Sequence, residues 1–149
     1  MKNLYTPEVH EELVARIGRL RPEMTPLWGR MTVAQMLAHC SEVIEVSLGK
    51  RLDNTPFIAK LFGGMIKRMI LSDRPYPRGS RTHPQYRVTD NRDFETEIRR
   101  LQENIRRFTW EDRQAAESHE HALFGRMTVD ERGRAMFKHL DHHLTQFGV

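Results

Sequence analysis

Phe94, Ile98, Leu101, Ile105 and Phe108 step along the chain by four, three, four and three residues. That spacing lines one side of an α-helix and cannot line one face of a β-strand, whose period is two. Three further segments carry apolar residues at helical spacing. The first is Val9, Leu13, Ile17 and Leu20; the second is Val33, Met36, Leu37, Cys40, Val43 and Ile44; the last is Met136, Phe137, Leu140, Leu144 and Phe147. Start signals sit where they should: Thr6-Pro7 opens the first helix, and Thr32-Val33-Ala34-Gln35 and Thr128-Val129-Asp130-Glu131 have the form of capping boxes. Four apolar stripes must be buried against one another, so the chain is expected to be all-α.

Between the second and third of these helices lies a connection of about forty residues, long enough to cross a bundle and leave the helices it joins parallel. The expected architecture is an up-down-down-up four-helix bundle with an extra helix in this crossover. The extra helix should open at Pro56 and reach about Leu71, with Gly63-Gly64 weakening its middle. Pro75, Pro77, Gly79 and Pro84 mark the rest as irregular, with an extended piece expected at Tyr86-Arg87-Val88.

At 149 residues the chain has room for one core, and it reads as one domain over 1–149. No apolar run is long enough to span a bilayer, the N-terminus lacks the apolar stretch of a secretory signal, and a lone cysteine, Cys40, excludes an internal disulfide. A cytoplasmic protein is expected. The net charge of +4 is uneven, because Lys50 to Arg92 holds ten Lys and Arg against three acids. No nucleic-acid motif accompanies this basic crossover, so a solvated face, or one serving a small anion, is expected rather than nucleic acid or membrane.

Gly29-Arg30-Met31-Thr32-Val33 recurs as Gly125-Arg126-Met127-Thr128-Val129, each preceded by an aromatic residue, Trp28 or Phe124. A glycine turn followed by a capping threonine is a helix-entry device, and both copies deliver a helix whose later turns carry histidine. On the last helix His139 and His143 are one turn apart and share a face, with Gln146 beside them. On the second helix His39 lies between Met36 and Val43 and so is directed inward. An i, i+4 histidine pair with a third imidazole can hold a divalent ion while leaving positions for water or substrate. His142 is turned off that face, and the His119-x-His121 pair reads as solvated loop. Glu42, near His39 in sequence, is a candidate general base whose direction the spacing leaves open.

Trp28, the run from Thr32 to His39, and the terminal His139, His143 and Gln146 resemble the DinB/YfiT superfamily of metal-dependent bundle proteins. Pro75-Tyr76-Pro77-Arg78-Gly79, Asp93-Phe94, the run from Leu123 to Thr128 and the run from Lys138 to Gly148 are similar to an uncharacterised branch of it. The resemblance implies a dimeric four-helix bundle holding nickel or zinc on His39, His139 and His143. Some relatives use low-molecular-weight thiols in transfer or isomerisation, and the expected activity here is on a small molecule, by hydrolysis or thiol-dependent transfer. Leu144-Thr145 stands where thiol-transferring relatives often carry Arg-Gly. In an enzyme of this kind an arginine of the basic crossover, Arg74, Arg78 or Arg81, would hold an anionic cosubstrate. The alternative is a non-catalytic helical module for dimerisation or ligand binding.

Overall fold

A computed structural model describes residues 1–53, 55, 62–80, 82–110, 118, 120–121 and 123–149. These residues form five α-helices: α1 (Pro7–Ile17), α2 (Val33–Ser47), α3 (Gly63–Leu71), α4 (Phe94–Trp110) and α5 (Val129–Gln146), with a 3-10 turn at Pro84–Tyr86. No strand occurs among them.

Both capping boxes form. Thr32 accepts from the Gln35 amide while the Gln35 side chain accepts from Thr32 N–H, and Thr128 and Glu131 reciprocate in the same way. Gly29 and Gly125, which precede them, have φ of +84° and +63°, the left-handed turn that the repeated motif supplies. Thr6 occupies the N-cap of α1 without a side-chain cap bond.

One contiguous core joins the helices. Leu13 and Ile17 of α1, Met36, Leu37, Cys40 and Ile44 of α2, Leu101, Ile105 and Phe108 of α4, and Met136, Leu140 and Leu144 of α5 are all buried in it. The central element is α2, which lies along α4 and also contacts α5 and the 3-10 turn, while α1 and α3 each contact α5. Ala34 and Ala38, buried one turn apart on α2, add little bulk there and so permit close approach.

Polar ties reinforce the α2–α4 contact. Arg100 of α4 grips Glu45 with two bonds of 2.8 and 2.9 Å and reaches Glu42 at 2.7 Å, and Asn104 adds a bond of 2.9 Å to Glu45. Burial alone would raise the Glu45 carboxyl, but the bonds from Arg100, Asn104 and Lys50 outweigh it and hold the group down at about 2.

Two expectations change in the crossover. The helix there begins at Gly63, not with the glycine pair at its middle; a Cβ on Gly63 would strike the Leu123 carbonyl. The portion expected from Pro56 to Leu61 lies outside the described residues. The extended piece at Tyr86-Arg87-Val88 is instead entered through a 3-10 turn, because Pro84 fixes φ at its first position and the His83 side chain accepts from the Gln85 amide. The α3 helix ends on α5: the Lys138 ammonium donates to the carbonyls of Met69, Ile70 and Ser72 at 2.8–3.0 Å, closing the helix C-terminus.

At its other end α5 carries the N-terminal segment. Leu4, fully buried, donates its amide to the Gly133 carbonyl, and a Cβ on Gly133 would run into the Asn3 side chain and come within 2.6 Å of the Tyr5 ring. Asn3 cannot simply turn away, since its side chain accepts from Tyr5 N–H and donates to Asp130. Helix propensity would favour alanine at Gly133 by about 1 kcal/mol, but overpacking costs about 1–3 kcal/mol and would unseat Leu4. Gly133→Ala should therefore lower stability by up to about 2 kcal/mol, read as an earlier urea midpoint with an unchanged slope. Equal or greater stability would show that this close approach carries no constraint.

A buried histidine cluster between two helices

His39 projects from the second turn of α2, and His139 and His143 from adjacent turns of α5. The ring centroids form a nearly equilateral triangle, 4.7, 4.8 and 5.0 Å on its sides. One ring nitrogen of each lies within 4.8 Å of the other two, a grouping that can hold a metal ion. Nitrogens sharing a tetrahedral ion at about 2.1 Å are about 3.4 Å apart, so the rings would turn slightly inward to take one up.

The outward nitrogens of two rings are fixed by acceptors. His39 Nδ1 is 2.7 Å from the Tyr86 carbonyl oxygen. A carbonyl only accepts, so Nδ1 carries the proton and Nε2 is left with a free lone pair. The arrangement at His143 has one more step. Gln146 Nε2 donates to the Trp28 carbonyl at 2.7 Å, which turns the amide oxygen toward His143 Nδ1 at 2.8 Å. His143 Nδ1 is therefore the donor, and its Nε2 is again free. The third ring, His139, is partly exposed overall, yet its Nε2 is buried without a hydrogen-bond partner. Buried polar atoms are rarely left so, and a ligand is a physical reason for the exception.

The loops that make these bonds are themselves held. Leu27 N–H donates to the Gln146 carbonyl at 2.7 Å, and Gly29, at positive φ, brings its backbone so close to the Gln146 amide that a Cβ would sit 2.9 Å from it. On the α2 side Gln85 bridges Arg51 and Asp53, anchoring the turn that presents the Tyr86 carbonyl.

Burial, with the mutual repulsion of the imidazoles, keeps the cluster neutral. Burial lowers His39. Burial and the nearness of His39 hold His143 down at about 3. Burial and then His143, His39 and His142 push His139 well below the ordinary histidine range. Three uncharged imidazoles with inward lone pairs are the protonation state a divalent ion requires.

Other sequence candidates fall elsewhere. The Glu42 carboxylate is taken by Lys50 and Arg100, so the question its helical spacing left open is answered against a role as free base. His142 packs against the rings of Trp28 and Tyr76, 5.6 Å from each. His121 stacks on Phe124 and accepts from the Leu123 amide; His119 lies outside the described residues. Tyr86 was missed by sequence reasoning. It acts through its backbone carbonyl, which any residue carries, so its type gave no signal. The task of Gln146 likewise depends on Trp28, more than a hundred positions away.

A family model described as "Protein of unknown function (DUF1569)" matches residues 3–148. The chain belongs to this family. No curated protein and no solved structure matches it.

The neutral cluster makes stability depend on pH. In the unfolded chain the three histidines protonate near 6.5, whereas in the fold burial lowers all three, His139 and His143 the most. The unfolded state therefore binds more protons below about 6.5, and stability is lost as pH falls from there toward about 3. Metal-free protein should show a lower urea midpoint near pH 5 than near pH 7.5, and His143→Ala should flatten the difference. A midpoint independent of pH in this range would contradict the buried, neutral assignment.

Proposed function

We propose that the protein is a divalent-metal-dependent enzyme of the DinB/YfiT-like kind, acting on a small molecule through His39, His139 and His143. The observation that carries this reading is the convergence of three neutral imidazoles, two with the ligating nitrogen selected by a fixed acceptor behind it and the third with a buried, unpartnered Nε2. Acceptors bonded in this way to the far ring nitrogen orient metal-bound histidines and raise their basicity. In the same reading the chain is one domain over 1–149, with α1, α2, α4 and α5 as an up-down-down-up bundle and α3 set outside it. The contacts of α2 with α4 and α5, and of α3 with α5, support that arrangement.

Nickel or zinc held there would supply Lewis acidity, lowering the pKa of a bound water or thiol so that hydroxide or thiolate is available near neutrality. The chain's own contribution is to orient the ligands through Tyr86 and Gln146 and to shield them behind the apolar core. Three protein ligands leave positions for substrate, as catalytic sites do. Hydrolysis and thiol-dependent transfer both fit this donor set, in a cytoplasmic homodimer. A second reading, a non-catalytic docking module, draws on the exposed Met65 and Met69 of α3 and Phe62 just before it. No described helix is long and apolar enough to cross a membrane.

Protein purified without a histidine tag should bind one zinc or nickel ion per chain, lose it on dialysis against chelator and regain it. His39→Ala, His139→Ala and His143→Ala should each abolish stoichiometric binding, while His142→Ala keeps it. Undiminished binding in the triple variant would overturn the site, and an activity indifferent to chelation would overturn the metal's part in it. Gln146→Leu leaves His143 Nδ1 and the Trp28 carbonyl without partners and should weaken metal affinity by about 10–100-fold. An unchanged affinity would show that the amide does not orient the ligand.

A further inference from the structure

Beside the histidine cluster three rings and a cation are in sequential contact. The Arg78 guanidinium lies over the Trp28 indole, 4.5 Å from its centroid. Trp28 meets His142 at 5.6 Å, and His142 meets His143 at 5.1 Å. Tyr76 also meets His142 at 5.6 Å. The guanidinium is thus no farther from the His143 ring than these three contacts laid end to end.

The charges along this array have different fates. The Lys138 ammonium, over the Tyr76 ring, is consumed by the three carbonyls that end α3. Arg78 is exposed and has no carboxylate or carbonyl partner among the described residues; its one contact is the indole. Asp141, next in sequence to His142, is drawn away by Arg16 at 2.6 Å. An aromatic face orients a guanidinium without neutralising it, and leaves its N–H edge ready for a planar, bidentate anion. The backbone beneath is constrained on both partners. Arg78 follows Pro75-Tyr76-Pro77 and precedes Gly79 at φ +70°, and the Trp28 carbonyl is fixed by Gln146. Of the crossover arginines, Arg74 has no comparable seat, and Arg81 is outside the described residues.

We propose that Arg78, seated on Trp28, is the specificity-determining residue of the site and binds the carboxylate of a small carboxylic acid, whose apolar body lies along Trp28, His142 and Tyr76 toward His143. This deepens the metal-enzyme reading and rests on it for the reacting end of the molecule, whereas the carboxylate seat is built without the metal.

The two can be tested apart, because Trp28 and Trp110 are the only tryptophans. In a Trp110→Phe background the intrinsic fluorescence reports Trp28 alone. Titrating zinc-loaded protein with phenylacetate should give a saturable change, with benzyl alcohol, which lacks the carboxylate, giving none. Arg78→Gln should weaken phenylacetate about tenfold or more, Arg78→Lys by less, and Arg74→Gln should not change it. Zinc is counted in the same samples. Zinc present with no saturable response up to about 20 mM, or equal affinity in the wild type and Arg78→Gln, would overturn the carboxylate seat and leave the metal reading standing. A response lost on Arg78→Gln in protein that binds no zinc would uphold the seat and overturn the metal reading.

Discussion

Three imidazoles are removed from water between α2 and α5 without a carboxylate to compensate them, and much of the surrounding structure serves that constraint. A histidine buried this way must be neutral, and a neutral imidazole has one donor and one acceptor nitrogen to place. The fold supplies an acceptor for the donor nitrogen of His39 from the Tyr86 backbone and for that of His143 from the Gln146 side chain. Both acceptors are held by further bonds, the first through the 3-10 turn and Gln85, the second through the Trp28 carbonyl. The free Nε2 lone pairs of His39 and His143 are thereby left to the cluster, where one nitrogen of each ring lies within 4.8 Å of the others.

Charge is managed differently on the α4 side of the molecule. There Arg100 gathers Glu42, Glu45 and Glu97, and Lys50 completes the group, so that carboxylates near the second helix are spent on tying α2 to α4. This removes Glu42 from the histidines and leaves the cluster as an all-nitrogen donor set. A set of neutral nitrogen ligands suits zinc or nickel better than magnesium or calcium, which prefer oxygen. The ion pairs are partly exposed and each contributes little alone; their geometry matters more, since a forked guanidinium fixes the register of two helices.

The helices, their caps and the inward face of His39 were legible in the sequence because they depend on local periodicity. Thr32 and Thr128 announce their helices by residues three positions away, and Leu101, Ile105 and Phe108 are buried as their spacing requires. The i, i+4 relation of His139 and His143 is equally local. The crossover was less legible: the Gly63-Gly64 pair reads as a weak helix interior, yet Gly63 opens the helix, at a point where the Leu123 carbonyl leaves no room for a Cβ.

By itself, then, the sequence determined the helical character of the chain, the helix starts at Thr32 and Thr128 and which histidines could share a face, all consequences of hydrogen bonding and side-chain geometry within a few residues. Only tertiary structure decided that His39 meets the pair from α5, which nitrogen each ring presents, that Glu42 turns to Arg100, and that Arg78 rests on Trp28. Each of these joins groups tens of residues or more apart through directional hydrogen bonds, ion pairs or ring contacts. The linear pattern carries no signal for a backbone carbonyl such as that of Tyr86, since every residue has one and only the packed chain aims it.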